Sequence, residues 1–305
     1  MFRQVATVTL VLLLTTLGGF APATAQSSKD AGDASKSPPK EIAVDLGGGV
    51  KLEMLLIPAG GFLMGSPDSD KRATPDETPQ HWVRINKPFY MGKYPVTQEQ
   101  WETVMGSNPS QLKGPKNPVE MISWDDCQAF LGKLNAKASG QGGRFALPTE
   151  AQWEYACRAG STTKYYFGDD ESQLGDYAWC NATSEGKTSH PVGLKKPNAW
   201  GLYDMQGNVW ELCQDWYDDG YYVLSPADDP AGPAEGTDRV HRGGIWTNSP
   251  TGCRSAYRTY SPPQFRDCRQ GMRIIRLLPE TATPANKPAP TAGADHTFFT
   301  DWTDP

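Results

Sequence analysis

The stretch RGGIWTNSPTGCRSAYR, residues 242–258, sets Cys253 in a loop-forming run of Gly, Asn, Ser, Pro and Thr and follows it closely with Arg254 and Arg258. Guanidinium groups beside a thiol favour its thiolate, so a free Cys253 would be a nucleophile or a metal ligand. In an oxidising compartment the same thiol would instead be half of a disulfide. His241, beside the two glycines, is the histidine nearest this loop and is the candidate acid or base. His81, His190 and His296 form no metal-binding spacing with it, and no serine sits in a Gly-x-Ser-x-Gly turn, so a histidine-held iron and a nucleophilic triad both lack parts.

The N-terminus bears on the fate of the thiols. Arg3, the apolar run VATVTLVLLL and the small residues Ala23-Thr24-Ala25 before Gln26 read as a cleaved secretory signal over residues 1–25. The apolar run is too short to span a bilayer comfortably, so no stable membrane insertion is expected after cleavage. Export to the periplasm or the extracellular space makes pairing the default state of the six cysteines, for which about 15 complete pairings exist. A formal charge of -6 with no basic patch excludes nucleic acid as a natural partner.

The elements that must position these residues are short. With 31 glycines and 26 prolines, the chain is rich in turns, and its ten tryptophans and twelve tyrosines supply the apolar area that long helices would otherwise give. Residues 26–42 read as a flexible linker, 43–278 as one domain, and 279–305 as a flexible tail whose Phe298, Phe299 and Trp302 suggest an aromatic anchor. KLEMLLIPAGGFLMG reads as two strands about a turn, and VRINKPFYMGKYPVT as another strand pair. Three helices are expected, capped by Thr97, by Ser123 with Asp126, and by Thr149 with Gln152; Gly106 closes the first and Gly160 the third.

Eight ordered landmarks, GGFLMGS, YPVTQEQW, NPVEMISWDDC, LPTEAQWEYACRAG, KPNAWGLYDMQGNVWE, RGG, CRSAYR and GMR, resemble the formylglycine-generating enzyme family, also called sulfatase-modifying factors, over residues 43–278. The resemblance implies an α+β fold: a single compact irregular domain with a C-type-lectin-like core and little regular secondary structure. It also implies several functions, since fold does not settle activity. Founding members oxidise a sulfatase cysteine to formylglycine with copper(I) held between two thiolates, a geometry soft copper favours. Here Ile245 stands at the family's serine and Asn248 at the first of its paired cysteines, so no copper site is expected.

In the family register Cys253 is no copper ligand, and the resemblance pairs it with Cys157; Cys180 with Cys213 and Cys127 with Cys268 are the preferred remaining bonds. The resemblance further implies a structural calcium held by Asp204 and Glu211 with the carbonyls of Gly207 and Val209, hard oxygen donors of the kind calcium takes. A salt bridge from Glu211 to an arginine is the alternative at that place. A second calcium loop near residues 181–190 is contracted and is not assigned. The expected groove is walled by Trp246, Asn248, Arg254, Tyr257 and Arg258 and takes a protein, a peptide or a small envelope molecule. Three functions stay open: the first two are modification of that substrate without the copper-dithiolate, and binding without turnover. An active oxidase is the third.

Overall fold

The computed structural model describes residues 38–139, 142–184 and 188–279. The signal segment, most of the linker and the aromatic tail lie outside the described residues. The first strands are β1 (Glu41–Gly47), β2 (Val50–Ile57), β3 (Gly60–Met64), β4 (His81–Ile85) and β5 (Phe89–Gly92). Two strands do flank the Pro-Ala turn, yet they do not pair with each other. β2 lies between β1 and β5, whereas β3 pairs with β4 in a separate two-stranded sheet. The same holds for VRINKPFYMGKYPVT, whose β4 and β5 belong to different sheets.

The three helices are α1 (Gln98–Met105), α2 (Trp124–Lys137) and α3 (Glu150–Arg158). Each starts on its expected cap: Thr97, Ser123 and Thr149 accept from the third residue on, and Gln100, Asp126 and Gln152 return the bond. Gly106 ends α1 in a left-handed conformation, but α3 ends one residue before its glycine, on Ala159 at φ 46°. The Trp101 and Phe130 rings stack with centroids 5.1 Å apart, fastening α1 to α2 over the core that Val44, Met54 and Leu134 also fill.

After α3 come α4 (Leu174–Tyr177), β7 (Trp210–Trp216), α5 (Tyr221–Leu224), β8 (Arg239–Arg242), β9 (Arg258–Ser261), β10 (Gln270–Gly271) and β11 (Ile275–Leu277), all but β7 four residues or fewer. With β6 (Arg144–Ala146), they complete a five-stranded sheet in the order β1-β2-β5-β11-β6 and a four-stranded sheet in the order β10-β7-β8-β9. The last strand of the domain therefore sits inside the first sheet, antiparallel to β5 on one side and β6 on the other. α3 carries Trp153, Tyr155 and Cys157 into the second core, between β3 and the four-stranded sheet. Among the described residues no helix is long and apolar enough to cross a membrane.

Candidate functional site

Helix α3 decides the chemistry of the site. Its Glu150 and Glu154 are one turn apart on a buried face, where unpaired carboxylates would be too costly to keep charged. Arg258 meets Glu150 with two bonds of 2.7 and 2.8 Å, while Arg242 and Arg158 share Glu154, the latter at 2.8 Å. Burial pushes the Glu154 carboxyl up, and the Arg158 and Arg242 charges more than reverse it. Arg254 is held the same way by Glu77, at 2.5 and 2.6 Å. Burial again opposes ionisation at Glu77, and the Arg254 bonds bring its carboxyl below the usual range. The two arginines after Cys253 are thus spent on carboxylates inside the protein.

The loop before them is tied as firmly. Ile245 donates its N–H to Asn248 Oδ1 at 2.9 Å, and Asn248 O accepts from Asn181 at 2.9 Å. Trp246 is buried, with its carbonyl accepting from Ser184 Oγ at 2.6 Å. Gly244, at φ 80°, leaves only 3.0 Å between where its Cβ would stand and the Cys253 sulfur. Tyr257 is half-buried, with the Arg254 guanidinium 5.9 Å from its ring centre. His241, the candidate acid or base, lies inside the protein. It is buried, bonds Ser261 Oγ at 2.9 Å, and burial pushes its pKa down to about 3.

A cleft of about 340 Å³ opens on the other side of Arg254, lined by Ser66, Asp70, Arg158, Thr163 and Lys164 among others. Of the five expected groove residues, only Arg254 reaches it. Trp246 and Asn248 face the 181–184 turn, and Arg258 packs its guanidinium 4.2 Å from the Tyr222 ring centre. Ser66 ends the GGFLMGS landmark and was within reach of sequence reasoning; Asp70, Thr163 and Lys164 carried no signal there.

The cysteines also differ from expectation. Cys157 lies in the α3 core, bonded to Ser255 and 3.8 Å from the Met205 carbonyl, so Cys253 is not across from it. Cys253 instead shares a small apolar nest with Cys180. Cys213 points into the α3 core, which removes it as a partner for Cys180. Cys127 is buried in the core beneath α1 and α2 that Val44 and Met54 fill, while Cys268 is partly exposed beside Asp267.

Residues 49–278 match the family model of the Sulfatase-modifying factor enzyme 1-like domain, three quarters of the chain. The chain belongs to that family. Among family relatives, it is 30% identical to the chaperone protein LppX of Paenibacillus barcinonensis over 73% of this chain and 89% of that one. It is 29% identical to the formylglycine-generating enzyme of Streptomyces coelicolor, over 71% and 87%. Among solved structures, Treponema denticola variable protein 1 superposes with a TM-score of 0.71 at 31% identity, over 79% of this chain and all of that one. PvdO from Pseudomonas aeruginosa does so at 0.70 and 30%, over 80% and 100%. The family fold, one compact domain of mixed helices and curled sheets with a C-type-lectin-like core, is the one the sequence resemblance implies.

The family's calcium loop can be tested against the side chains. Glu211 is committed: Arg273 donates to both its oxygens at 2.8 Å, and Trp153 Nε1 to one of them at 2.6 Å. The arginine alternative therefore holds at Glu211. Asp204 is different. It is buried at φ 55°, Oδ2 accepts from Gly193 at 2.7 Å, and Oδ1 has no hydrogen-bond partner. Gly207 cannot be replaced there, because a Cβ would stand 2.1 Å from the Trp179 carbonyl. An unpartnered buried carboxylate oxygen in such a loop fits a hard cation.

Proposed function

We propose that this family member is an exported recognition module that holds a protein segment or a small envelope molecule in the cleft beside residues 242–258 and does not oxidise a cysteine. The carrying observation is the turn at Ile245 and Asn248. These residues bond each other where the founding enzymes present reactive side chains, and Cys253 turns inward to Cys180. The cleft's polar rim, with Ser66, Thr163 and Lys164, supports recognition by hydrogen bonds. The likeness to a relative named a chaperone supports binding without turnover. The likeness to the Streptomyces coelicolor enzyme supports the oxidase as a second reading. Incubating the protein with copper, oxygen and a peptide carrying Cys-x-Pro-x-Arg separates the two: the peptide mass is expected to stay unchanged, and aldehyde formation would refute the assignment.

Calcium belongs to the same reading as a structural ion. Asp204 Oδ1 and the neighbouring carbonyls of Gly207 and Val209 would hold it, with Glu211 left to Arg273. It would supply positive charge to a buried loop and no redox chemistry.

A further inference from the structure

Cys180 follows α4, and Cys253 ends a short 3-10 turn, Pro250–Cys253, yet both are fully buried in one nest with Tyr165, Leu174 and Ala178. Their side chains hydrogen bond to each other. The backbone on both sides is fastened independently of the sulfurs. Asn181 N donates to Asn248 O at 2.9 Å, Ser184 Oγ to Trp246 O at 2.6 Å, and Tyr165 OH to Pro250 O at 3.1 Å. Gly244 presses close behind the Cys253 sulfur. Two thiols held together this way lack only the loss of two electrons and two protons to become a bond.

We propose that Cys180 and Cys253 form an intramolecular disulfide, which clamps the 178–184 turn onto the wall of the cleft. The oxidant is an external disulfide. The Cys180 thiolate attacks one of its sulfurs and breaks that S–S bond, releasing one thiolate, which takes up the Cys180 proton. Cys253, giving its proton to the second leaving thiolate, then displaces that thiolate from the mixed disulfide. Two electrons pass to the external disulfide, which leaves as two thiols. The hydrogen bond from Cys253 lowers the Cys180 pKa to about 6, which suits it to the first attack.

The proposal rests on export only for its oxidant in the cell, so the test supplies one. The full chain is reduced under denaturing conditions, refolded with oxidised glutathione, alkylated and mapped by mass spectrometry. A peptide pair joining Cys180 to Cys253 is expected, together with a fall in Tm of about 10 °C on reduction, given the roughly 70-residue loop the bond closes. A map in which either residue is alkylated, or joined to another cysteine, overturns the proposal. The same map of protein purified without reductant reports on export separately. Because the map reads unfolded peptides, it decides even if a Cys253→Ser variant fails to fold.

Discussion

Glu154 receives two guanidinium groups and the Gly65 N–H, all inside the protein. Removing one partner of a buried pair leaves the others charged and unmatched, at a cost of about 3–5 kcal/mol. Glu154→Gln keeps the shape and deletes the charge, so denaturant unfolding is expected to show a loss of that size. His241 gives a second test at this scale. Its folded pKa of about 3 lies below the ordinary value near 6.5, so the unfolded chain binds the proton more readily. The stability it contributes is present above about pH 6.5 and is lost as pH falls towards 3. Asp215, raised to about 8 mainly by burial, runs the opposite way: stability falls as pH rises from about 4 to 8. The difference between wild type and His241→Gln isolates the histidine: the Tm of the variant is expected to fall less between pH 6.5 and 4. At this scale the sequence marked the arginines but could not mark their partners. Glu77 is 177 residues from Arg254 and Glu150 is 108 from Arg258, and no local pattern links such pairs.

Elements were legible in proportion to how local their signals are. The caps of α1, α2 and α3 reside within three residues of each helix start, and all three were readable. Strand partners were not, because β2 and β3 follow one another in sequence and choose different sheets through contacts far along the chain. The loop entering β7 lay between these cases. Its glycine and carboxylates were visible, and so was an arginine as the alternative at Glu211, but not that this arginine is Arg273 or that Asp204 keeps an unpartnered Oδ1. Its test is thermal. Calcium at about 100 times its dissociation constant is expected to add about 2.7 kcal/mol, chelation to remove that gain, and Asp204→Ala to unfold at one Tm with or without calcium. A wild-type Tm indifferent to both calcium and chelator would refute the ion.

For the whole molecule, the decisive fact is where the domain ends. β11 is only Ile275–Leu277, yet it joins β5 to β6. A chain stopped after Ile274 is expected to lose cooperative unfolding, because two strands would face each other with unpaired backbone between them. A chain stopped after Pro279 is expected to keep the Tm of the full one, as measured by calorimetry. Equal stability of the two truncations would refute the central role of β11. The sequence resemblance brought the family and its C-type-lectin-like core into view, since ordered landmarks span the domain. The placement of the cleft was not legible, because Ser66, Lys164 and Arg254 come from three distant stretches.

The position of β11 also sets a clock. The residues that join β5 to β6 follow every other strand of that sheet along the chain, so the sheet cannot close before they are in place. Until then β5 and β6 remain open edges in need of a holding partner. Closing this sheet is therefore a late and non-local step, and two strand edges stay exposed for as long as three residues are missing from between them.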